Sequence, residues 1–351
     1  MHIQSLMNLS NTVKYTIILT TGIIVLFLAN LFIGSVSIPF SAIFDILTGT
    51  EVLKKSWEHI VLEVRLPQTI TAFLTGGAIA VSGLLLQTAF RNPLADSGIL
   101  GISAGSSLGV AIVVMLFGGI IGGASGFSLS SSMTIVAGAF IGAAIILAII
   151  IGFASIVRNN IMLLIIGIMV GYLTSSIISL LKYWSSSEKV FAYVIWGMGD
   201  FSGVSLVQLP FYAGIIFIGL ILSILLIKPL NALLLGERYA ANLGINIKRV
   251  RFLLLVCAGL LTAITTAYCG PISFIGLAVP HIARLLLGTS NHKSLLPVTI
   301  LTGTFMALLC NLISVLPGSS GLIPLNAITP LFGAPVIIYV IVNQKKIQYF
   351  N

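Results

Sequence analysis

Few side chains in this sequence are equipped for chemistry, and they fall in short clusters. The most specific cluster runs Phe274-Ile275-Gly276-Leu277-Ala278-Val279-Pro280-His281-Ile282-Ala283-Arg284. On a helix, His281 and Arg284 stand three apart and share a face. Pro280 removes a backbone donor from the same stretch. That shared face points toward the cytoplasm. A metal would need further ligands at suitable spacing, and none is near, so His281 reads as a packed, hydrogen-bonded side chain.

The other clusters are Arg65-Leu66-Pro67-Gln68, Gln87 with Arg91-Asn92-Pro93-Leu94-Ala95-Asp96, Arg158-Asn159-Asn160, and Gly236-Glu237-Arg238-Tyr239-Ala240-Ala241-Asn242-Leu243-Gly244. None of them has the pattern of bond-breaking machinery. The phosphate-cradling pattern GxxxxGK[ST] does not occur, so nucleotide is not held by that route. HExxH and GxSxG are also missing, although a His–Ser or His–Asp pairing would keep an intramembrane enzyme as a distant rival. Cys257, Cys269 and Cys310 lie in or beside apolar runs and read as small buried residues. No cofactor is expected.

The elements that position these clusters are long and greasy. Only 7% of the 351 residues are charged, and mean hydropathy is +1.16. A soluble domain could not cover itself with so little polar surface. The hydropathy pattern gives about ten transmembrane helices: 13–34, 66–89, 99–117, 133–156, 161–182, 207–228, 250–269, 272–287, 295–316 and 327–343. The fold class is therefore an all-α polytopic membrane protein, one transmembrane domain over 1–351. Residues 40–47 read as a short interfacial helix, and 230–246 as a loop too polar to span. Gly76, Gly77, Gly83, Gly101, Gly105 and Gly109 read as close-packing faces on the second and third spans.

The net charge of +9 does not point to nucleic acid, because the basic residues are scattered among connections. With both ends cytoplasmic, twelve basic residues (Lys14, Arg91, Arg158, Lys228, Arg238, Lys248, Arg249, Arg251, Arg284, Lys293, Lys345, Lys346) face in. Five (Lys54, Lys55, Arg65, Lys182, Lys189) face out. That bias favours an N-in, C-in topology.

Each cluster has two readings on this frame. Arg65 is either a snorkelling anchor or an outer docking charge. Asn92 and Pro93 fit a turn; Gln87, inside a span, needs a partner and serves either packing or a pathway. Asn159 and Asn160 are turn formers or caps on a pore mouth. The 230–246 loop is an amphipathic surface element or a contact for a soluble cytoplasmic subunit.

The ordered set of clusters resembles the FecCD-like permease subunits of ABC importers for iron–siderophore, haem and cobalamin. Arg65-Leu66-Pro67 resembles the family's RLPR opening, and Gln87 with Asn92-Pro93-Leu94-Ala95 and Gly98-Ile99-Leu100-Gly101 its Q…NPLA…ILG segment. The Gly236–Gly244 stretch resembles its coupling loop, and Phe274–Arg284 its FxGLxxPHxxR signature. The resemblance implies a second permease around a shared path, two ATPase subunits below and an extracytoplasmic binding protein above. It implies ATPase coupling through Gly236, Glu237, Arg238, Ala240, Ala241, Leu243 and Gly244, and a cytoplasmic gate at Asn159 and Asn160. Docking of the binding protein would fall to Arg65, Lys54 and Lys55. The path would be lined by Gln87, Tyr172, Thr174, Ser175, Ser179, Thr329 and Phe332, with Tyr339 near it. Asn92, Pro93, Pro280, His281 and Arg284 would be structural.

Three of these positions depart from the family pattern. Gln68 stands where RLPR has its second arginine, and Asn311 and Val315 stand where an Asp-x-x-x-Arg is usual. The loss of docking arginines favours a heterodimer of two permeases, or substitution by Lys54, Lys55 or Lys189. An iron–siderophore chelate is the first choice of cargo, then haem, then cobalamin. An ion-gradient transporter is the further rival, disfavoured because no carboxylate falls well inside a span.

Overall fold

The computed structural model describes residues 2–49, 54–118, 131–157, 160–315 and 323–343. Among these the chain is helical, with no strand. The elements are α1 (His2–Phe32), α2 (Phe40–Thr48), α3 (Lys55–His59), α4 (Leu66–Phe90), α5 (Ile102–Ala111), α6 (Ser131–Ile156), α7 (Asn160–Tyr183) and α8 (Ser187–Gly197). They continue as α9 (Leu209–Leu225), α10 (Ile227–Leu234), α11 (Glu237–Asn242), α12 (Ile247–Cys269), α13 (Ile275–Leu287), α14 (His292–Ser314) and α15 (Leu325–Val342). Wide π-helical turns join α3 to α4 at Ile60–Arg65 and extend α5 through Ile112–Leu116.

Among the described residues, seven helices are long and apolar enough to cross a membrane. An eighth crossing is the pair α9–α10, bent by 52°. Two shorter apolar helices, Ile102–Leu116 and Ile275–Leu287, occupy the places of the third and eighth expected spans. Ten apolar segments are thus present, but three are short or broken. The 207–228 span is corrected: α9 stops at Leu225, and α10 turns away to begin the polar 230–246 stretch. Helix α8 was not expected, because Ser185-Ser186-Ser187-Glu188-Lys189 reads as a loop.

Helix α4 is the axis of the bundle. In its apolar stretch 89% of residues are buried, against 28% for α7 and 33% for α15. It packs on α14, α12, α13 and α9. Glycine permits the closest of these approaches: a Cβ on Gly83 would fall 1.8 Å from the Gly276 carbonyl oxygen. Gly276 is four residues before Pro280, whose nitrogen cannot donate to it. The carbonyl left free by the proline is the one that meets α4. A second seam joins α5 to α6, where a Cβ on Gly109 would fall 1.9 Å from the Gly138 carbonyl oxygen.

Candidate functional site

One end of the bundle gathers α10, α11, the start of α12, and the ends of α4 and α13. Gly236 has φ 109°, a conformation that favours glycine, and it turns the chain from α10 into α11. Ala240 is buried and its N–H bonds the Gly236 carbonyl at 2.9 Å; Ile245 N–H returns to the Ala240 carbonyl at 3.1 Å. Arg251 on α12 donates to Glu237 at 2.7 Å, pinning α11 to α12. Arg238, Tyr239, Ala241, Leu243 and Gly244 remain exposed. The result is a braced two-helix elbow with an outward face that is part apolar and part cationic.

Behind this elbow lies the Phe274–Arg284 motif. Pro280 interrupts the helical bonding of α13, and Gln87 lies beside the break: its Nε2 donates to the Leu277 carbonyl at 3.1 Å. Arg284 in turn donates to Gln87 Oε1 at 2.7 Å. His281 bonds the Pro93 carbonyl through Nε2 at 2.8 Å. Asn92 Oδ1 accepts from Leu94 N–H at 2.9 Å, forming the turn its sequence suggests. Pro280, His281 and Arg284 are therefore buried against a half-buried turn carrying Asn92 and Pro93, joined to it by the His281–Pro93 bond. Gln87 is fully buried beside Arg284 and does not face a path. That part of the path expectation is corrected, because a fully buried side chain presents no surface to a solute.

The 92–101 segment does not stay at the surface. A Cβ on Gly276 would lie 2.6 Å from Asp96 Oδ1, so the segment reaches into the bundle beside the first turn of α13. Burial pushes the Asp96 carboxyl above its ordinary range, against the backbone N–H groups of Ser97 and Gly98 that pull it down.

At the opposite end, Arg65 is buried rather than presented outward. Its guanidinium donates to the carbonyls of Leu31, at 2.9 Å, Phe32 and Val36. It ties the end of α1 to the start of α4, so its role as a free docking charge is corrected. Lys54 lies over the Trp57 ring at 4.9 Å from the centroid, and both it and Lys55 are exposed. Lys189 donates to the Met115 carbonyl at 3.0 Å and so braces α8 rather than standing free.

The path candidates divide. Tyr172, Ser175 and Ser179 lie on the exposed face of α7. Thr174 turns inward and bonds the Val170 carbonyl at 2.7 Å. On α15, Phe332 is half-buried against the core, Tyr339 is exposed, and Thr329 is buried with an unpartnered hydroxyl. Thr174 and Thr329 are corrected as open wall positions, since both are almost wholly covered. Asn159 lies outside the described residues, and of Asn160 only its place at the start of α7 is described. Two residues were missed, Asn231 and His292, which bond one another across the elbow. Each passes in the sequence for an ordinary loop-flanking residue.

A bundle of apolar helices with broken spans and a braced polar elbow defines a polytopic membrane permease, a transport component rather than an enzyme. The model of the FecCD transport family matches residues 22–343. The chain belongs to that family. It is 35% identical to the vitamin B12 import system permease protein BtuC of Citrobacter koseri, over 82% of this chain and 84% of that one. It is 32% identical to the hemin transport system permease protein HmuU of Yersinia pestis, over 93% and 96%. A solved structure of a metal-chelate type ABC transporter in an inward-facing conformation aligns with TM-score 0.79 and 30% identity, covering 95% of this chain and 99% of that one. The protein is a multi-pass component of the bacterial cell membrane.

Proposed function

We propose that this chain is one permease half of an ATP-driven importer that carries an iron–siderophore-type chelate inward. The carrying observation is the exposed, partly polar face of α7, which with α15 is apolar and mostly unburied in one copy, as α1 and α6 also are. The exposed face of α7 adds Tyr172, Ser175 and Ser179 to its apolar residues. A second permease closing on these faces would enclose a wide, weakly polar path, suited to a bulky neutral or variably charged chelate. A different permease is favoured as that partner, since the outer end of this chain lacks the usual docking arginines. Lys54 and Lys55 then contact acidic groups of an extracytoplasmic binding protein. Both chain ends face the cytoplasm, and the 230–246 elbow engages one of two ATPase subunits, with Asn159 and Asn160 gating below.

Haem is the second reading, favoured by the near full-length match to the hemin permease. The test is uptake of radiolabelled ferrichrome, haemin and cyanocobalamin by cells with and without the gene, before and after ATP depletion and before and after collapse of the ion gradients. ATP-dependent ferrichrome uptake that needs the gene supports the first reading. Uptake of haemin or cobalamin alone would redirect the cargo. Uptake that follows the ion gradient and ignores ATP would overturn the importer class.

A further inference from the structure

We propose that Asn231 and His292 form a latch that makes the elbow and the α4–α14 core move as one body. The proposal rests on the importer reading and names how that elbow is attached. Asn231 lies on α10, immediately before the elbow. Its Oδ1 accepts twice from His292, from the backbone N–H at 2.8 Å and from Nδ1 at 2.9 Å. Its Nδ2 donates to Asn291 Oδ1 at 3.0 Å. Asn291 is the N-cap of α14 and also receives Lys293 N–H at 3.0 Å. One amide therefore grips the first turn of α14 at three points.

The grip extends inward. With Nδ1 donating to Asn231, the other ring nitrogen is left to accept. Nε2 lies 2.9 Å from Thr88 Oγ1, which also lies 2.9 Å from the Leu84 carbonyl. Thr88 and His292 are fully buried. Helix α10 is thereby tied through one imidazole to α14 and to α4, the most buried helix. Beside this tie, α10 packs Leu230, Ala232 and Leu233 into the core against α4 and α14, and it joins α9 through a 52° bend and α11 through a glycine turn. The apolar packing is non-directional; the latch adds a directional hold that fixes α10 in register on α14 and α4 when α11 is pushed.

The experiment uses the transporter assembled with its ATPase subunits and partner permease. Spin labels are placed at Lys228→Cys on exposed α10 and Phe73→Cys on the lipid-facing side of α4. The three native cysteines are buried. In the wild-type background, trapping with ATP and vanadate leaves this intramolecular distance unchanged. In Asn231→Leu and in His292→Ala, trapping shifts it by at least ~2 Å, the scale of an ordinary helix displacement. ATP hydrolysis by the complex stays within about twofold of wild type, while solute moved per ATP falls about tenfold. Asn231→Asp keeps the oxygen acceptor and restores the fixed distance. An unchanged distance in both disrupted variants would overturn the latch, as would a wild-type distance that moves on trapping. Loss of assembly in Asn231→Leu would also overturn it, by making the residue a requirement of folding. Failure of the wild-type chain to assemble with any ATPase refutes the importer reading instead.

Discussion

Gln68 Nε2 donates to Asn311 Oδ1 at 3.1 Å, deep between α4 and α14. These are two of the positions where the family pattern carries an arginine and an aspartate. Both have become amides, and they still meet. Asn311 passes the bond on to Asn30 Oδ1 at 2.8 Å, and Asn30 reaches the Leu308 carbonyl at 3.1 Å. The two departures from the pattern therefore touch, and an amide chain holds this crossing. A lone charge placed there would lack a partner in a low-dielectric interior, where an unpaired ion costs several kcal/mol.

A double-mutant cycle tests that relationship. Gln68→Arg alone places a second guanidinium near Arg65 and lowers the thermal midpoint. Gln68→Arg with Asn311→Asp recovers at least ~1 kcal/mol of the loss, as coupled neighbours do. Strict additivity in the purified permease would refute the coupling between the two positions.

The Gly83 contact sets a steric prediction. Gly83→Ala forces a methyl into the Gly276 carbonyl and costs about 1–3 kcal/mol or more. Gly214→Ala, where a Cβ meets nothing within 4 Å, is neutral or slightly stabilising. Fluorescence-detected size exclusion after a heat step reads both. Equal behaviour of the two variants would contradict the close seam.

Gln87 bridges Leu277 and Arg284, so Gln87→Leu removes an acceptor from a buried cation and a donor from a carbonyl beside Pro280. The expected loss is about 2–3 kcal/mol, the range for hydrogen bonds to charged groups. Thermal unfolding in detergent measures it, and a change under ~0.5 kcal/mol would argue that Gln87 faces open space after all.

Asp96 gives a pH dependence with a definite sign. Its folded carboxyl holds its proton to higher pH than the unfolded one, because burial disfavours the anion. Stability from this group is complete below the ordinary carboxylate range and is lost as pH rises through the raised value. Asp96→Asn flattens that part of the stability profile. A steeper profile in the variant would reverse the assignment.

Leu243→Asp and Tyr239→Ala alter only the outward face of the elbow. Stability changes by less than ~0.5 kcal/mol, as for exposed sites, while co-purification of the ATPase subunits falls. Retained co-purification in both variants would move the contact elsewhere.

Apolar run length made the bundle legible in the sequence, because a bilayer demands about 20 apolar residues per crossing. It misjudged what breaks that rule. The 92–101 segment follows Arg91, carries Asp96 and reads as an aqueous turn, yet it reaches the Gly276 end of α13. Arg65 reads as a surface charge because its carbonyl partners, Leu31, Phe32 and Val36, lie at and just beyond the end of a separate helix. Gln68 and Asn311 read as separate losses, since a pairing across 243 positions leaves no local trace. The Phe274–Arg284 motif was found by its residue types, but its purpose required seeing Gln87 opposite Pro280.

The proline-freed carbonyl of Gly276 has a last consequence. α13 and α14 each meet α4 glycine to backbone, at Gly276 against Gly83 and at Gly303 against Gly76, so at these points no side chains lie between the helices and the three form a keel. Flexing in a working cycle falls to the less buried timbers around it, α7 and α15.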